Sequence, residues 1–150
     1  TLDFPVDEYG AVDTPAALTK ALGITPLEVY KGKTDYMAIL ASQKEVEQLV
    51  PDLAVLATLD CRGVIVTAKG DEADFVCRFF GPQSGINEDP VTGSAYTTLT
   101  PYWSGILGKN EFTAIQLSSR RGHIQCQNLG SRVAISGHAV TYMVAEIDVA

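Results

Sequence analysis

Long apolar runs are missing from this sequence, and none approaches the roughly 18 residues a helix needs to cross a bilayer, so no membrane partner is expected. Positive charge is scarce as well: 11 Lys and Arg stand against 18 Asp and Glu, for a net charge of −7. The imbalance is concentrated early, with ten acidic and four basic side chains before residue 61 and eight and seven after it. Nucleic acid is a polyanion that asks for a basic face, and the pair Arg120-Arg121 is too short to make one, so nucleic acid is not expected as a partner either. Cysteine is limited to Cys61, Cys77 and Cys126, an odd number, widely spaced and without a CxxC. That excludes a disulfide framework or a cysteine zinc site and fits buried thiols in a reducing cytoplasm. The two histidines, His123 and His138, have no third ligand at a fitting spacing, so no metal is expected. Neither a GxGxxG after a strand nor a P-loop occurs, which argues against nucleotide, flavin and nicotinamide cofactors. The Gly-x-Ser-x-Gly elbow is also missing, so Ser94 does not read as a nucleophile. The opening Thr1-Leu2-Asp3-Phe4-Pro5 has neither the basic region nor the apolar core of a signal peptide, and no initiator Met, which suggests an excised or processed piece.

What the chain does have is a globular composition, 46% apolar and 19% charged over 150 residues, enough for one domain with a core. Leu2-Asp3-Phe4 reads as a short strand. Thr14 and Pro15 suit the cap and first position of a helix that Gly23 ends. Strands are predicted over 27–31 and 36–40. Ser42-Gln43-Lys44-Glu45 is a capping box for a helix ending near Val50, and Pro51-Asp52 opens another through Leu59. Residues 64–67 and 74–80 read as an antiparallel pair. An irregular segment follows over 81–92, then a helix over 93–107 with Pro101 inside it, where a kink or break near Thr100 is expected. Tyr102 and Trp103 read as packing on its core face. Four strands are predicted to close the chain, over 112–117, 123–126, 133–136 and 140–147. The expected class is α+β, antiparallel strands around one long helix.

The most informative stretch is Gly85-Ile86-Asn87-Glu88-Asp89-Pro90-Val91-Thr92-Gly93-Ser94-Ala95. Two carboxylates stand beside a rigid proline, and a turn of small residues then opens the helix. The first turn of a helix presents amides without internal partners, at the positive end of the macrodipole. Gly93 lets a ligand approach the backbone, and Ser94 adds a hydroxyl, a combination that suits a carboxylate or phosphate. Asp89 is placed to hydrogen-bond a substrate group or relay a proton. The same run also fits a plain cap, with Thr92 or Ser94 closing the helix and Glu88 and Asp89 solvated beside it. Arg78, on the preceding strand, reads either as a partner for a carboxylate or as a half-exposed strand charge.

The run Glu88-Asp89-Pro90-Val91-Thr92-Gly93-Ser94-Ala95 resembles the hallmark of PhzF-like (phenazine-biosynthesis-type) proteins, which share the diaminopimelate-epimerase fold. Asp74 to Pro82 resembles the strand that feeds the loop. Pro101-Tyr102-Trp103 with Leu107-Gly108-Lys109 resembles the family helix and its end. Gln116-Leu117-Ser118-Ser119-Arg120, Arg132-Val133 and Ser136-Gly137-His138-Ala139 resemble its later strands, and the likeness covers nearly the whole chain. Two departures stand out: Tyr96 replaces a frequent His, and Arg121 interrupts what is usually Arg-Gly-Gly. The resemblance implies a C-terminal lobe, a barrel-like antiparallel sheet around a central helix, facing an N-terminal lobe of the same fold that this chain lacks. It implies a cofactor-independent isomerase that shifts a proton on a small carboxylate-bearing substrate, with the main general acid/base a glutamate of the other lobe. By position it carries over Asp89, Gly93 and Ser94 as lining the substrate site; Asp89 is expected to be catalytic and Gly93, Ser94, Thr92 and Glu88 substrate-binding, with Glu88 or Thr92 supporting the loop. A homodimer is a further expected partner arrangement. The alternative is an inactive lobe that serves in binding or oligomerisation.

Overall fold

The computed structural model describes residues 1–148. Among them run strands β1 (Leu2–Pro5) and β2 (Gly10–Ala11), helix α1 (Ala16–Leu22), strands β3 (Glu28–Lys31) and β4 (Asp35–Ile39), helices α2 (Gln43–Gln48) and α3 (Leu53–Leu56), strands β5 (Gly63–Lys69) and β6 (Phe75–Phe80), helix α4 (Tyr96–Leu107), and strands β7 (Glu111–Gln116), β8 (Gly122–Asn128) and β9 (Arg132–Ser136). All nine strands form one sheet in the order β1-β9-β8-β7-β6-β5-β4-β3-β2. The expected antiparallel pattern holds except at two joints, where β4 runs parallel to β5 and β6 parallel to β7. Each parallel joint follows a helical crossover, α2 and α3 in the first case and α4 in the second, because a parallel return needs a long connection.

Strand β5, read as Gly-Val-Ile-Val-Thr-Ala-Lys, shows no polar alternation because both faces of the sheet are covered. Val64, Val66 and Ala68 join Leu18, Leu22, Val46 and Leu56 of α1, α2 and α3 in one core. Ile65 points the other way, into a second core with Phe75, Phe79, Phe112, Ile124 and Val133 around α4. Helix α4 presents Tyr96, Leu99, Tyr102 and Trp103 to that core. The Trp103 ring stacks on Phe75 with centroids 5.6 Å apart and planes at 5°, while its indole N–H donates to Thr67 Oγ1 at 3.0 Å. Strands from both ends of the sheet reach α4: Val133 and Ile135 of β9 pack on it, and Tyr30 of β3 meets Tyr102 at 5.4 Å. That curvature makes the sheet barrel-like.

Pro101 does not interrupt α4, which runs unbroken from Tyr96 to Leu107. A proline at 101 leaves the carbonyl four residues back, that of Thr97, without its helical donor. The Asp7 amide supplies one at 3.2 Å, and the Asp7 carboxylate accepts the Thr98 hydroxyl at 3.0 Å. The helix start is likewise later than 93, because Gly93–Ala95 forms a single tighter 3-10 turn first.

Ser42 caps α2 by accepting the Glu45 amide at 3.2 Å, and Glu45 reaches back to the Ala41 amide at 2.9 Å. Gly23 ends α1 in the left-handed region at φ 67°. Thr14 does not cap that helix: Pro15 takes the cap position, without a side-chain bond. The helix after Asp52 stops at Leu56, short of Leu59. Arg121, where a glycine is usual by resemblance, adopts φ 54° in the turn between β7 and β8. The expected last strand over 140–147 is not formed, and residues 137–148 hold no helix or strand. A hairpin return would need the free side of β9, but β1 occupies it, with Leu2 opposite Ile135 and Phe4 opposite Val133. Val140, Tyr142, Met143, Val144 and Ile147 are consequently exposed. No helix among the described residues is long and apolar enough to cross a membrane.

Candidate functional site

The segment between β6 and α4 is irregular but fastened on three sides. It doubles back on itself through reciprocal bonds between Gly81 and Ile86, and the Asp89 amide donates to the Phe79 carbonyl at 3.1 Å. From β7, the fully buried Gln116 holds it at two points: Oε1 accepts the Thr92 amide at 2.8 Å, and Nε2 donates to the Asp89 carbonyl at 2.7 Å and to Thr92 Oγ1 at 3.2 Å. The Ser118 hydroxyl donates to the Pro90 carbonyl at 2.8 Å. On the third side, Arg78 grips Glu88 through two bonds of 2.7 and 3.0 Å.

These contacts place the predicted residues differently. Asp89, Thr92, Gly93 and Ser94 converge on a hollow of about 240 Å³, together with Arg62 and Phe79. The Thr92 hydroxyl donates to Asp89 Oδ2 at 2.7 Å and fixes that carboxylate, and no donor among the described residues reaches Oδ1. The Ala95 amide is used within the turn, on the Thr92 carbonyl at 3.1 Å. The amides of Gly93 and Ser94 have no acceptor among the described residues, and neither Thr92 nor Ser94 caps the turn with its side chain. A Cβ at Gly93 would meet nothing within 4 Å, so the backbone there is open to approach. Such an arrangement can bind an anion at the turn and set one carboxylate oxygen beside it.

Glu88, expected among the substrate-binding residues, does not line this hollow. Its carboxylate lies in a neighbouring depression with Arg78 and Glu47. The cause is Arg78, whose side chain is only 12% exposed and needs a counter-charge to be buried. Glu88 therefore braces the loop.

Three contributors carried no signal in the sequence pattern. Gln116 was visible only as part of a strand. Arg62, just before β5, and Asp35, at the start of β4, lie far from the loop along the chain. Strand pairing sets Asp35 opposite Gly63, and there Asp35 takes Arg62 in a two-point ion pair, with Nε to Oδ1 at 2.9 Å. Arg62 Nη2 also donates to Ser94 Oγ at 3.0 Å, and the guanidinium lies 5.4 Å from the centre of the Phe79 ring. Its bond to Asp35 raises the Arg62 pKa above its ordinary value, against the opposing effect of burial.

The deeper groups behind the helix are not acid/base candidates. Burial pushes the Cys77 thiol up to about 12, and the Tyr96 hydroxyl, 3.5 Å from it, well above its usual range. Burial also raises Cys126, to about 11. Among the described residues no group of three or more His, Cys, Asp or Glu is placed to hold a metal. A larger hollow of about 700 Å³ lies outside β7–β9, but its ion pair, Lys109 with Asp74 at 2.6 Å, is closed on itself.

The chain matches the family described as phenazine biosynthesis-like protein over residues 4–145. It is 48% identical to an uncharacterized isomerase of Pseudomonas aeruginosa over 142 residues, which is 95% of this chain and 54% of that protein. It is 42% identical to an uncharacterized isomerase of Halalkalibacterium halodurans, over 97% of this chain and 56% of that one. Among solved structures, a PhzF-family phenazine biosynthesis protein of Enterococcus faecalis superposes with a TM-score of 0.88 at 40% identity, covering 95% of this chain and 55% of the other. A putative PhzC/PhzF protein of Clostridium difficile gives 0.88 at 39% identity, covering 99% and 57%. The chain spans about half the length of these relatives. By a family match over most of its length and a fold that superposes on solved members, the chain belongs to the PhzF family of phenazine biosynthesis-like proteins.

Proposed function

We propose that this chain forms one side of the active site of an isomerase that moves a proton on a small carboxylate-bearing molecule without a metal or organic cofactor. The observation that carries the reading is the pair of Gly93 and Ser94 amides, free of protein acceptors and opening on a hollow beside Asp89. The amides hold the substrate carboxylate. Asp89, steadied at Oδ2 by Thr92, offers Oδ1 to a polar group next to the migrating proton. Removing a proton beside a carboxylate builds negative charge, and amides fixed in advance stabilise such charge without reorganising. The other half of the chemistry, a general acid/base glutamate, comes from an N-terminal lobe of the same fold that faces this hollow. That two relatives are named isomerases supports the reaction class.

The test is solvent exchange in the protein that carries both lobes. Small carboxylates with an acidic C–H are incubated in deuterium oxide and followed by NMR. Asp89→Asn and Ser94→Ala should each slow exchange of an active compound by about 10- to 1,000-fold. Rates equal to wild type in both variants would remove the site assignment.

A second reading, an inactive lobe used for docking or self-association, is favoured by the exposed apolar side chains from Val140 to Ile147. Sedimentation velocity separates the two. A monomeric chain that binds no carboxylate defeats both, and a dimer that binds none favours the second.

A further inference from the structure

Arg62 lies outside the loop that carries the site, yet it lines the same hollow. We propose that Arg62 is a positioning residue of this site: clamped by Asp35, it donates to the Ser94 hydroxyl oxygen and so turns the Ser94 hydroxyl hydrogen toward the bound carboxylate. The inference rests on the anion-binding reading of Gly93 and Ser94.

Donor and acceptor roles fix how Arg62 and Ser94 meet. A guanidinium has only donors, so in the 3.0 Å contact between Arg62 Nη2 and Ser94 Oγ the serine oxygen must accept. The single hydroxyl hydrogen of Ser94 is then left to bond elsewhere, and no acceptor among the described residues takes it. The nearby open direction is the hollow, where the Gly93 and Ser94 amides also lack acceptors. Three donors thus converge on one place.

Arg62 itself is held rigidly. Two of its N–H groups sit on the Asp35 carboxylate, whose side chain is 6% exposed, and the Phe79 ring lies 5.4 Å from its guanidinium. The strand register explains the placement. Asp35 begins β4 opposite Gly63, so the clamp spans two neighbouring parallel strands at the end of the sheet nearest the start of α4. Because Asp35 already neutralises Arg62, the main contribution of the arginine is direction. A lysine keeps the charge but has no planar fork, and it cannot hold Asp35 and Ser94 in one fixed geometry.

A double-mutant cycle with a defined probe tests this. The isotope-labelled chain is titrated with succinate, and the Gly93 and Ser94 amide signals report its dissociation constant. Ser94→Ala and Arg62→Lys should each weaken succinate by about 3- to 10-fold, the size of one hydrogen bond. Adding Arg62→Lys to Ser94→Ala should cost less than about twofold more, because the arginine acts through the hydroxyl. A merely structural arginine would weaken binding equally in both backgrounds. The paired variant Asp35→Asn with Arg62→Met removes both charges together, guards against an unpaired buried carboxylate, and should repeat the pattern. Full additivity, or an Arg62→Lys that binds succinate like wild type while Ser94→Ala does not, overturns the role of Arg62 and leaves the site standing. A wild-type chain whose Gly93 and Ser94 signals do not move sinks the site and this inference together.

Discussion

Replacing Gln116 by leucine keeps nearly the same volume but strips the loop of its fastening to β7. The buried Thr92 amide (2.8 Å) and the part-buried Asp89 carbonyl (2.7 Å) lose their partners, and the Thr92 hydroxyl loses a donor at 3.2 Å. Each unsatisfied buried group costs about 1–3 kcal/mol, while the near-isosteric swap adds little cavity cost, so Gln116→Leu should destabilise the chain by about 2–5 kcal/mol. Gln116→Glu sharpens the test. One oxygen still accepts the Thr92 amide, but the other faces the Asp89 carbonyl and bonds to it only when protonated. Burial raises the pKa of the introduced carboxyl above its unfolded value of about 4.3. A group raised in the folded state stabilises fully below its unfolded pKa and loses that contribution as pH rises through the folded one. Gln116→Glu should therefore approach wild type in acid and fall behind by up to about 1.4 kcal/mol per pH unit above about pH 4.3. Urea unfolding at about pH 4.5 and about pH 7.5 reads the difference, and amide exchange at Thr92 shows where the opening occurs. Gln116→Leu within about 0.5 kcal/mol of wild type, or a Gln116→Glu deficit independent of pH, would refute the fastening.

Two further perturbations follow from the packing. A Cβ at Gly63 would overlap the Phe79 ring, so Gly63→Ala must displace that ring, which lines the hollow; a loss of about 1–3 kcal/mol in urea unfolding and weaker succinate binding are expected, and an unchanged affinity would show that Phe79 yields away from the hollow. The buried thiols make the fold sensitive to alkali. Cys77 and Cys126 are raised to about 12 and about 11 when folded, so their contribution is complete below the unfolded pKa of about 8.5 and declines as pH climbs toward the folded values, by about 1.4 kcal/mol per pH unit for each thiol. Near neutrality a disulfide reagent should modify only the half-buried Cys61 in the native chain and all three thiols after unfolding, and rapid native labelling of Cys77 would contradict its burial.

Local chemistry was legible in the sequence, and long-range placement was not. The Ser42 cap, the Gly23 stop and the turn at Gly93 depend on neighbours a few residues away, and each was readable. Asp89, Thr92, Gly93 and Ser94 fall within six residues of chain, so their convergence on one hollow was visible too. Glu88 lies outside that hollow because its partner, Arg78, lies on another element, and the sequence did not say which carboxylate Arg78 would take. Arg62 and Asp35 belong to no motif, Gln116 stood out only within a strand-like run, and all three reach the loop through strand register. The same limit explains the missing last strand: Val140, Tyr142 and Val144 alternate like a strand, but a strand also needs an edge, and β1 already holds the one beside β9.

The gap that Pro101 leaves at the Thr97 carbonyl has a kinetic consequence. Asp7 fills that gap, and its carboxylate reaches Thr98 across a separation of 91 residues, while Asp3 meets Arg132 across 129. Contacts this distant along the chain form slowly, since a long loop must close before they reward it. The first seven residues are therefore expected to settle late, after α4 and β9 exist to receive them, with the Thr97 carbonyl unfilled until they arrive.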